Sequence, residues 1–286
     1  MGLKKSKPAP LKDFEEPWRN VDWDRKEHLK SELRQFQLNH PEISHFRILL
    51  HGPVGAGKSC FINSVMSVFK GKIVMKAQEE SSAGKSCTKS YKTYKITDAN
   101  SQTLPFVLND VMGLENHEED GVDPHDIIHA LHGHVKEDYK FNPASPLSHA
   151  DPDFINDPNP NDKVHCLVSV VPADSITLMP NEVIQKMKNV RKEALSLGIP
   201  HVVLMTKIDA LCPLAKKDLT EVYKSKKIKD TMEKCSHRLG PPVKCIFPVS
   251  NYYEECEPNN AKDVLILLAF KAIAEFIKDY IEDYNI

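Results

Sequence analysis

The sequence predicts an α/β fold in which a mostly parallel sheet is covered by helices on both faces. Short apolar or β-branched runs, typical of buried parallel strands, occur at 164–171, 201–206 and 244–249. Helical patterns at 181–198 and 214–240 separate these runs, and strands that alternate with helices indicate this architecture. With 286 residues, 41% of them hydrophobic, we expect one large domain, or one domain with an appendage.

Two segments precede the first predicted strand. Residues 1–16 are rich in lysine and proline, and we expect a disordered basic tail there. The tail begins MGLKKS, which fits the N-myristoylation pattern with Gly2 as acceptor. Weak membrane contact through acylated Gly2 and a tail without lipid are the two alternatives. Residues 17–45 predict a helical extension in which Asp24 caps a helix.

The predicted main domain covers residues 46–286. FRILLH predicts its first strand, SCFINSVMSVF a helix, and YKTYKI and PFVLND two further strands. AKDVLILLAFKAIAEFIKDYIEDY predicts a closing helix with one apolar side. Residues 114–163 form a long insert, rich in Asp, Asn and His, that interrupts the alternation. A stretch of this length without strong periodicity is either functional or disordered.

The net charge, the cysteine spacing and the apolar runs indicate which partners and which compartment to expect. The formal net charge is −2, so we do not expect a nucleic-acid partner. The seven cysteines are scattered without a C-x-x-C pair, which is typical of a reducing compartment. The longest apolar run, VLILLAF, is too short to span a bilayer. We therefore expect a cytoplasmic protein.

A histidine cluster in the insert leaves two interpretations open. HDIIHALHGH places His125, His129 and His132 on one face if the segment is helical. Zinc accepts such ligands, whereas a solvent-facing histidine-rich segment needs no metal.

GPVGAGKS, residues 52–59, satisfies the pattern G-x-x-x-x-G-K-[ST] between a predicted strand and a predicted helix. Glycines let such a loop point its N–H groups at phosphate oxygens, and the following helix adds its positive end. Lys58 is a candidate catalytic residue that reaches the β- and γ-phosphates, and Ser59 offers a hydroxyl to Mg²⁺. The predicted phosphate-binding residues are Gly52, Gly55, Ala56, Gly57, Lys58, Ser59 and Cys60.

A second motif concerns the metal ion and the γ-phosphate. Asp110 ends a predicted strand and Gly113 follows in the pattern D-x-x-G. Asp110 is expected to hold Mg²⁺ through a water, and the Gly113 N–H to bond the γ-phosphate. The Ser/Gly-rich stretch before YKTYKI offers Thr88 and Thr93. We choose Thr88 as the metal-sensing and catalytic switch residue.

A third motif predicts the base. HVVLMTKID contains Thr206, Lys207 and Asp209 in the pattern [NT]-K-x-D. A carboxylate there accepts two hydrogen bonds from guanine, which adenine does not offer. Ser250 and Asn251 follow the last predicted strand, where backbone N–H groups meet the guanine O6. The motifs together predict a P-loop NTPase of the GTPase type that binds GTP or GDP with Mg²⁺.

Leu114 stands directly after D-x-x-G. Many small GTPases have a glutamine there that orients the attacking water, and leucine cannot replace it. Hydrolysis is therefore expected to be slow unless another residue or a second protomer positions the water.

The phrases PWRNVDW, FRILLHGPVGAGKSCFINSV, LPFVLNDVMGLE and LGIPHVVLMTKID resemble the interferon-induced protein 44 and 44-like family of P-loop GTPases. The resemblance runs from about residue 17 to the C-terminus. It implies an interferon-inducible, cytoplasmic, GTP-binding protein of antiviral defence. Family members often carry a further N-terminal domain, which we expect to be missing here.

Two functions follow from the motifs and the resemblance. The first is a guanine-nucleotide switch with slow intrinsic hydrolysis, which self-association in the GTP state would accelerate. The second is a GTP-bound scaffold without useful turnover that binds immune-signalling or viral proteins.

Overall fold

The computed structural model describes residues 13–37, 40–77, 89–116 and 120–284. Gly2 and Thr88 lie outside these ranges, as does the predicted tail up to residue 12. Among the described residues, no helix has both the length and the apolarity to cross a membrane.

A six-stranded sheet forms the centre of the fold. Its strands are β1 (Phe46–His51), β2 (Lys92–Thr97), β3 (Thr103–Asp110), β4 (Cys166–Pro172), β5 (His201–Thr206) and β6 (Ile246–Pro248). Their order across the sheet is β2-β3-β1-β4-β5-β6. Every neighbouring pair is parallel except β2 and β3, which are antiparallel. The predicted, mostly parallel sheet is confirmed.

Helices cover both faces of the sheet. The α-helices of the described residues are α1 (Lys26–Arg34), α2 (Lys58–Lys70), α3 (Pro124–His132), α4 (Asn181–Ser196), α5 (Ile208–Leu211), α6 (Pro213–Lys217), α7 (Lys226–Leu239) and α8 (Asn260–Tyr284). Two 3-10 helices span Leu219–Lys224 and Val243–Cys245. One core contains Phe61 of α2 and Phe270 of α8, and the other contains Ile127 of α3 and Met187 of α4. The predicted two-sided α/β architecture is therefore confirmed.

Two local predictions about helix ends were wrong. Asp24 does not cap α1, since the residue before the helix is Arg25 and no side chain caps it. The helical pattern at 214–240 is broken into α6, a 3-10 helix and α7. The breaks have a physical cause, because the Asp218 and Ser225 side chains accept hydrogen bonds from the main chain at the start of the next helix.

The N-terminal extension and residues 13–16, which were predicted as the end of the disordered tail, lie against the main domain. The Phe14 and Trp18 main-chain N–H groups donate to carbonyls of the 3-10 helix before α7, at 2.9 and 3.0 Å. The Arg19 guanidinium lies 5.3–5.5 Å from the ring centres of Trp18, Tyr223 and Phe247. Such cation–π contacts stabilise the docked segment.

The described part of the insert is folded. Asp123 caps α3, because its side chain accepts from the His125 N–H at 2.8 Å. Leu131, Val135 and Phe154 are buried in the same core as Leu49 of β1. The insert therefore covers one face of the sheet.

Candidate nucleotide-binding site

The predicted site residues lie at the carboxyl ends of neighbouring parallel strands. The P-loop follows β1, Asp110 ends β3, Thr206 ends β5, and Ser250 follows β6. Ligands of open α/β sheets bind at this edge. The sheet thus brings together motifs that are far apart in the chain.

The P-loop needs glycine at two positions. A Cβ on Gly52 would lie 2.1 Å from the Val170 carbonyl oxygen, so a side chain would push β1 and β4 apart. Gly57 has φ +90° and is the residue from which α2 begins. Gly55, with φ +73°, and the buried Ala56 lie between them, and Cys60 lies in the first turn of α2.

Lys58 lies over its own loop. Its Nζ donates to the carbonyl oxygens of Gly52 at 3.3 Å and Pro53 at 3.2 Å, and the residue is only 3% exposed. The charged group is therefore held beside the loop amides, where a phosphate would bind.

Ser59 and Asp110 meet in a buried pair. The Ser59 hydroxyl donates to Asp110 Oδ2 at 2.7 Å. A hydroxyl and a carboxylate are hard oxygen ligands of the kind that Mg²⁺ prefers. The pair lies beside the P-loop, so these two residues fit the predicted metal ion.

Gly113 and Leu114 connect the chain after Asp110 to the P-loop. A Cβ on Gly113 would lie 2.7 Å from the Val54 nitrogen, which shows how closely the two backbones approach. The Leu114 N–H donates to the Gly52 carbonyl at 3.0 Å, and the Val54 N–H donates to the Leu114 carbonyl at 3.2 Å. The Leu114 side chain is 1% exposed and lies in the core. It has no polar atom with which to orient a water.

The base-reading motif is joined to the P-loop by Thr206. Its hydroxyl donates to the Ala56 carbonyl at 2.6 Å, in a buried position. Lys207 has φ +55° and lies between β5 and α5, directly before the first residue of the helix. The Ser250 hydroxyl donates to Asp209 Oδ1 at 3.1 Å, which holds the carboxylate that would read guanine.

The loop after β6 makes contacts that its sequence does not reveal. The Asn251 side chain donates from Nδ2 to the Gly57 carbonyl at 3.0 Å. Lys262 of α8 donates from Nζ to the Asn251 carbonyl at 2.9 Å. The predicted role of Ser250 and Asn251 rests on their backbone, whereas the structure also gives both side chains a partner within the site. No motif marks Lys262, so the sequence could not predict its role.

These elements share one geometry. The P-loop, the Ser59–Asp110 pair and the Thr206–Asp209 motif lie together at the carboxyl ends of the parallel strands. Among the strands of the described residues, β2 is the one antiparallel strand and lies at the outside of the sheet. The fold is that of a P-loop GTPase.

Comparison with curated proteins gives the family. Over 256 residues, this chain is 36% identical to interferon-induced protein 44 of Homo sapiens. The aligned residues cover 89% of this chain and 57% of that protein. It is 34% identical to interferon-induced protein 44-like of Homo sapiens, with 89% and 56% covered. This chain is a homologue of the interferon-induced protein 44 and 44-like proteins. It spans a little over half of their length.

Further comparisons add little to this finding. No family model matches the chain. Solved structures that it matches include a probable GTP-binding protein engB, at 14% identity and a TM-score of 0.43, with 82% of this chain and 99% of that chain covered. Another is a variant of Era from Aquifex aeolicus bound to GDP.AlF4-, at 14% identity and a TM-score of 0.43, with 80% and 56% covered.

Asn63 of this interferon-induced protein 44 homologue anchors the chain that follows α2. Its Oδ1 accepts from the Lys76 and Ala77 N–H groups at 2.9 and 2.8 Å, and its Nδ2 donates to the Ala77 carbonyl at 3.0 Å. Residues 78–88, which include the predicted switch Thr88, lie outside the described residues. No motif marks Asn63, and its place one turn after Ser59 is a weak sequence signal for this anchor.

A buried histidine chain runs beside the P-loop. His51 precedes Gly52, and its Nε2 lies 2.7 Å from the Ser169 hydroxyl, which lies 2.8 Å from His201 Nε2. Burial, with a smaller effect of the Lys58 charge, lowers the pKa of His51 to about 3. Burial also lowers the pKa of His201 well below its usual value. Both rings are therefore uncharged at neutral pH.

The histidines of the insert form a surface cluster. His129 and His134 have ring centres 6.1 Å apart, and His149 lies about as far from each. His132 Nε2 lies 2.9 Å from Glu193 Oε1. Within the described ranges, no group of three or more His, Cys, Asp or Glu side chains is arranged to hold a metal ion.

Proposed function

We propose that this chain binds GTP and GDP with Mg²⁺ and acts as a switch with slow intrinsic GTP hydrolysis. The observation that carries the proposal is the pair of hydrogen bonds from Thr206 and Asn251 to the P-loop. These bonds join a phosphate-binding element and a base-reading element in one site.

Each part of the site has a role in this proposal. The P-loop amides and Lys58 bind the phosphates, and Ser59 and Asp110 hold the metal ion. Bound Mg²⁺ would neutralise charge on the β- and γ-phosphates. Asp209, oriented by Ser250, accepts two hydrogen bonds from guanine and leaves adenine unpaired.

The test is a set of affinities for GTP, GDP, ATP and XTP, with and without Mg²⁺. We expect Lys58→Ala to lose GTP binding, because the negative phosphates no longer have the Lys58 ammonium group to neutralise them. The control Lys278→Ala removes an exposed lysine that is paired with Glu282 on α8, and it should bind normally. Asp209→Asn should shift preference from GTP towards XTP. Equal binding of ATP and GTP by the parent chain would overturn the proposal.

Leu114 favours a second candidate function. Its side chain lies in the core, so the position after D-x-x-G contributes no polar side chain to the site. A GTP-bound scaffold without useful turnover, which binds immune-signalling or viral proteins, is consistent with this geometry. Turnover per molecule, measured at rising protein concentration, separates the two functions. Acceleration indicates a switch activated by self-association, and constant, negligible turnover indicates the scaffold.

The cellular setting is part of the same proposal. The homologues are named for induction by interferon, which supports an antiviral or immune role for this chain. We place it in the cytoplasm because its cysteines are scattered, without paired spacing. Acylation at Gly2 would add a weak membrane contact.

A further inference from the structure

We propose that residues 120–163 of the insert transmit the nucleotide state of the site to the protein surface. This segment is hydrogen-bonded at one end to the chain after Asp110, and in its middle to the start of β2. Both attachment points adjoin residues assigned to the γ-phosphate and the metal ion. The inference rests on the proposed function and specifies how the site is read out.

The first attachment is continuous with the P-loop. The Val122 N–H donates to the Gly113 carbonyl at 3.0 Å, and Leu114 forms an antiparallel bridge with Gly121. Leu114 in turn donates to the Gly52 carbonyl. Gly121 has φ +78°, and a Cβ there would lie 2.6 Å from the Gly113 oxygen. A movement of Gly113 towards or away from a phosphate therefore displaces the start of the insert.

The second attachment holds the chain that directly follows Thr88. The Tyr91 N–H donates to the Tyr139 carbonyl at 2.8 Å, and the Asp138 N–H donates to the Tyr91 carbonyl at 3.0 Å. The Phe141 N–H donates to the Lys89 carbonyl at 3.0 Å. These three bonds form a short antiparallel pairing between residues 89–91 and 138–141.

A carboxylate strengthens the same attachment. Glu137 accepts from the Thr93 N–H through Oε1 at 2.9 Å and from the Thr93 hydroxyl through Oε2. The same Thr93 Oγ1 accepts from Asn109 Nδ2 of β3 at 2.8 Å. Glu137 thus ties the insert to β2 and, through Thr93, to β3.

The interior of the insert connects the two attachments. Asp126 of α3 is fully buried, and its Oδ1 accepts from the Leu147 N–H at 2.7 Å. The Tyr139 hydroxyl donates to Asp126 Oδ2 at 3.4 Å. Tyr91 and Leu114 lie in the same buried core as α3. A packed core is not continuously deformable, so the insert responds as one unit.

The coupling follows from ordinary switch physics. Segments that contact a γ-phosphate and its metal ion are ordered by them and released after hydrolysis. A ligand shifts a conformational equilibrium only through different contacts in the two states. In this proposal, contacts of the γ-phosphate and the metal ion with Gly113 and Thr88 supply the difference, and the two attachments pass it to the insert. Coupling between two sites is reciprocal and typically amounts to about 5- to 150-fold. A change at the insert must therefore alter the preference between GTP and GDP.

The first test is hydrogen exchange of the full chain without nucleotide, with GDP, and with a non-hydrolysable GTP analogue. We expect the Val122, Asp138 and Phe141 amides to exchange about 5-fold or more slowly with the analogue than with GDP. Protection of the P-loop amides reports binding itself. If the nucleotides protect the P-loop amides but the insert amides exchange equally fast with GDP and with the analogue, the coupling is overturned and the proposed function stands. P-loop exchange unchanged by either nucleotide overturns the proposed function as well.

The second test uses a matched pair of variants. Glu137→Ala removes the carboxylate that holds Thr93, and Asp157→Asn changes an exposed carboxylate elsewhere in the insert. We expect the ratio of analogue to GDP affinity to change about 5-fold or more in Glu137→Ala and to stay constant in Asp157→Asn. An unchanged ratio in both variants overturns the coupling. If Glu137→Ala does not fold, the exchange data on the parent chain still decide.

Discussion

Acidification should destabilise this fold through its buried histidines. His51 is fully buried and His165 is 2% exposed, and burial lowers the pKa of each ring to about 3. His165 Nδ1 accepts from the Arg47 N–H at 2.9 Å, a bond that a protonated ring cannot accept. A group whose pKa is lower in the folded state gives stability that is complete above its unfolded pKa of about 6.5 and is lost as the pH falls.

The size of the effect follows from these pKa values. A histidine with a pKa of about 3 in the fold and about 6.5 in the unfolded chain lowers the free energy of unfolding by about 2 kcal/mol between pH 7.5 and pH 5. His51 and His165 together lose about 4 kcal/mol, and His201 acts in the same direction. Burial raises the pKa of Asp126 to about 6, so its protonation returns about 1 kcal/mol. A net loss of about 3 kcal/mol is a large part of a typical stability of about 5–15 kcal/mol.

Urea unfolding at pH 7.5, 6 and 5, followed by circular dichroism, measures this loss. His165→Asn keeps an acceptor near the Nδ1 position but cannot be protonated, so its stability should fall by about 2 kcal/mol less than that of the parent between pH 7.5 and pH 5. His237→Asn, at an exposed position of α7, is the control and should follow the parent. The reasoning is refuted if His165→Asn loses as much stability on acidification as the parent.

Three further substitutions test the site and the insert. Thr206→Val leaves a buried P-loop carbonyl without its donor, so we expect a loss of about 1–3 kcal/mol in urea unfolding and weaker GTP binding; unchanged stability would contradict this. Gly113→Ala would place a Cβ 2.7 Å from the Val54 nitrogen, so we expect about 1–3 kcal/mol of destabilisation and at least about 10-fold weaker GTP binding by titration. Asp126→Asn replaces a buried carboxylate whose pKa is raised to about 6, so it should gain up to about 3 kcal/mol at pH 7.5, and this gain should vanish towards pH 4. A gain that is the same at both pH values would show that charge is not its cause.

Much of the fold could be predicted because its central strands, such as β4 and β5, are buried on both faces. The predicted strand segments match the six strands of the described residues to within two residues of their observed ends, from β1 at Phe46–His51 to β6 at Ile246–Pro248. The periodicity did not predict the breaks at Asp218 and Ser225. Each segment around the breaks buries an apolar residue, at Ala215, Val222 and Ile228, so the pattern continues across them, and a local side-chain cap decides where a helix starts.

The site could be predicted only where its residues belong to motifs. The motifs assign Ser59 and Asp110 to one metal ion, and in the structure the Ser59 hydroxyl oxygen lies 2.7 Å from Asp110 Oδ2. Lys262 and Asn63 could not be assigned in this way. Their contacts depend on how α8 and the chain after α2 pack, and spacing along the sequence does not record such packing.

Both outer strands of the sheet are contacted by segments that lie outside the α/β alternation. Arg19 donates to the carbonyl of Ile246, the first residue of β6, at 3.4 Å, and the segment around Asp138 pairs with Tyr91, directly before β2. An uncovered strand edge is a template for pairing with another chain. Loss of either segment, by proteolysis or truncation, would therefore expose a strand edge to pairing with another chain.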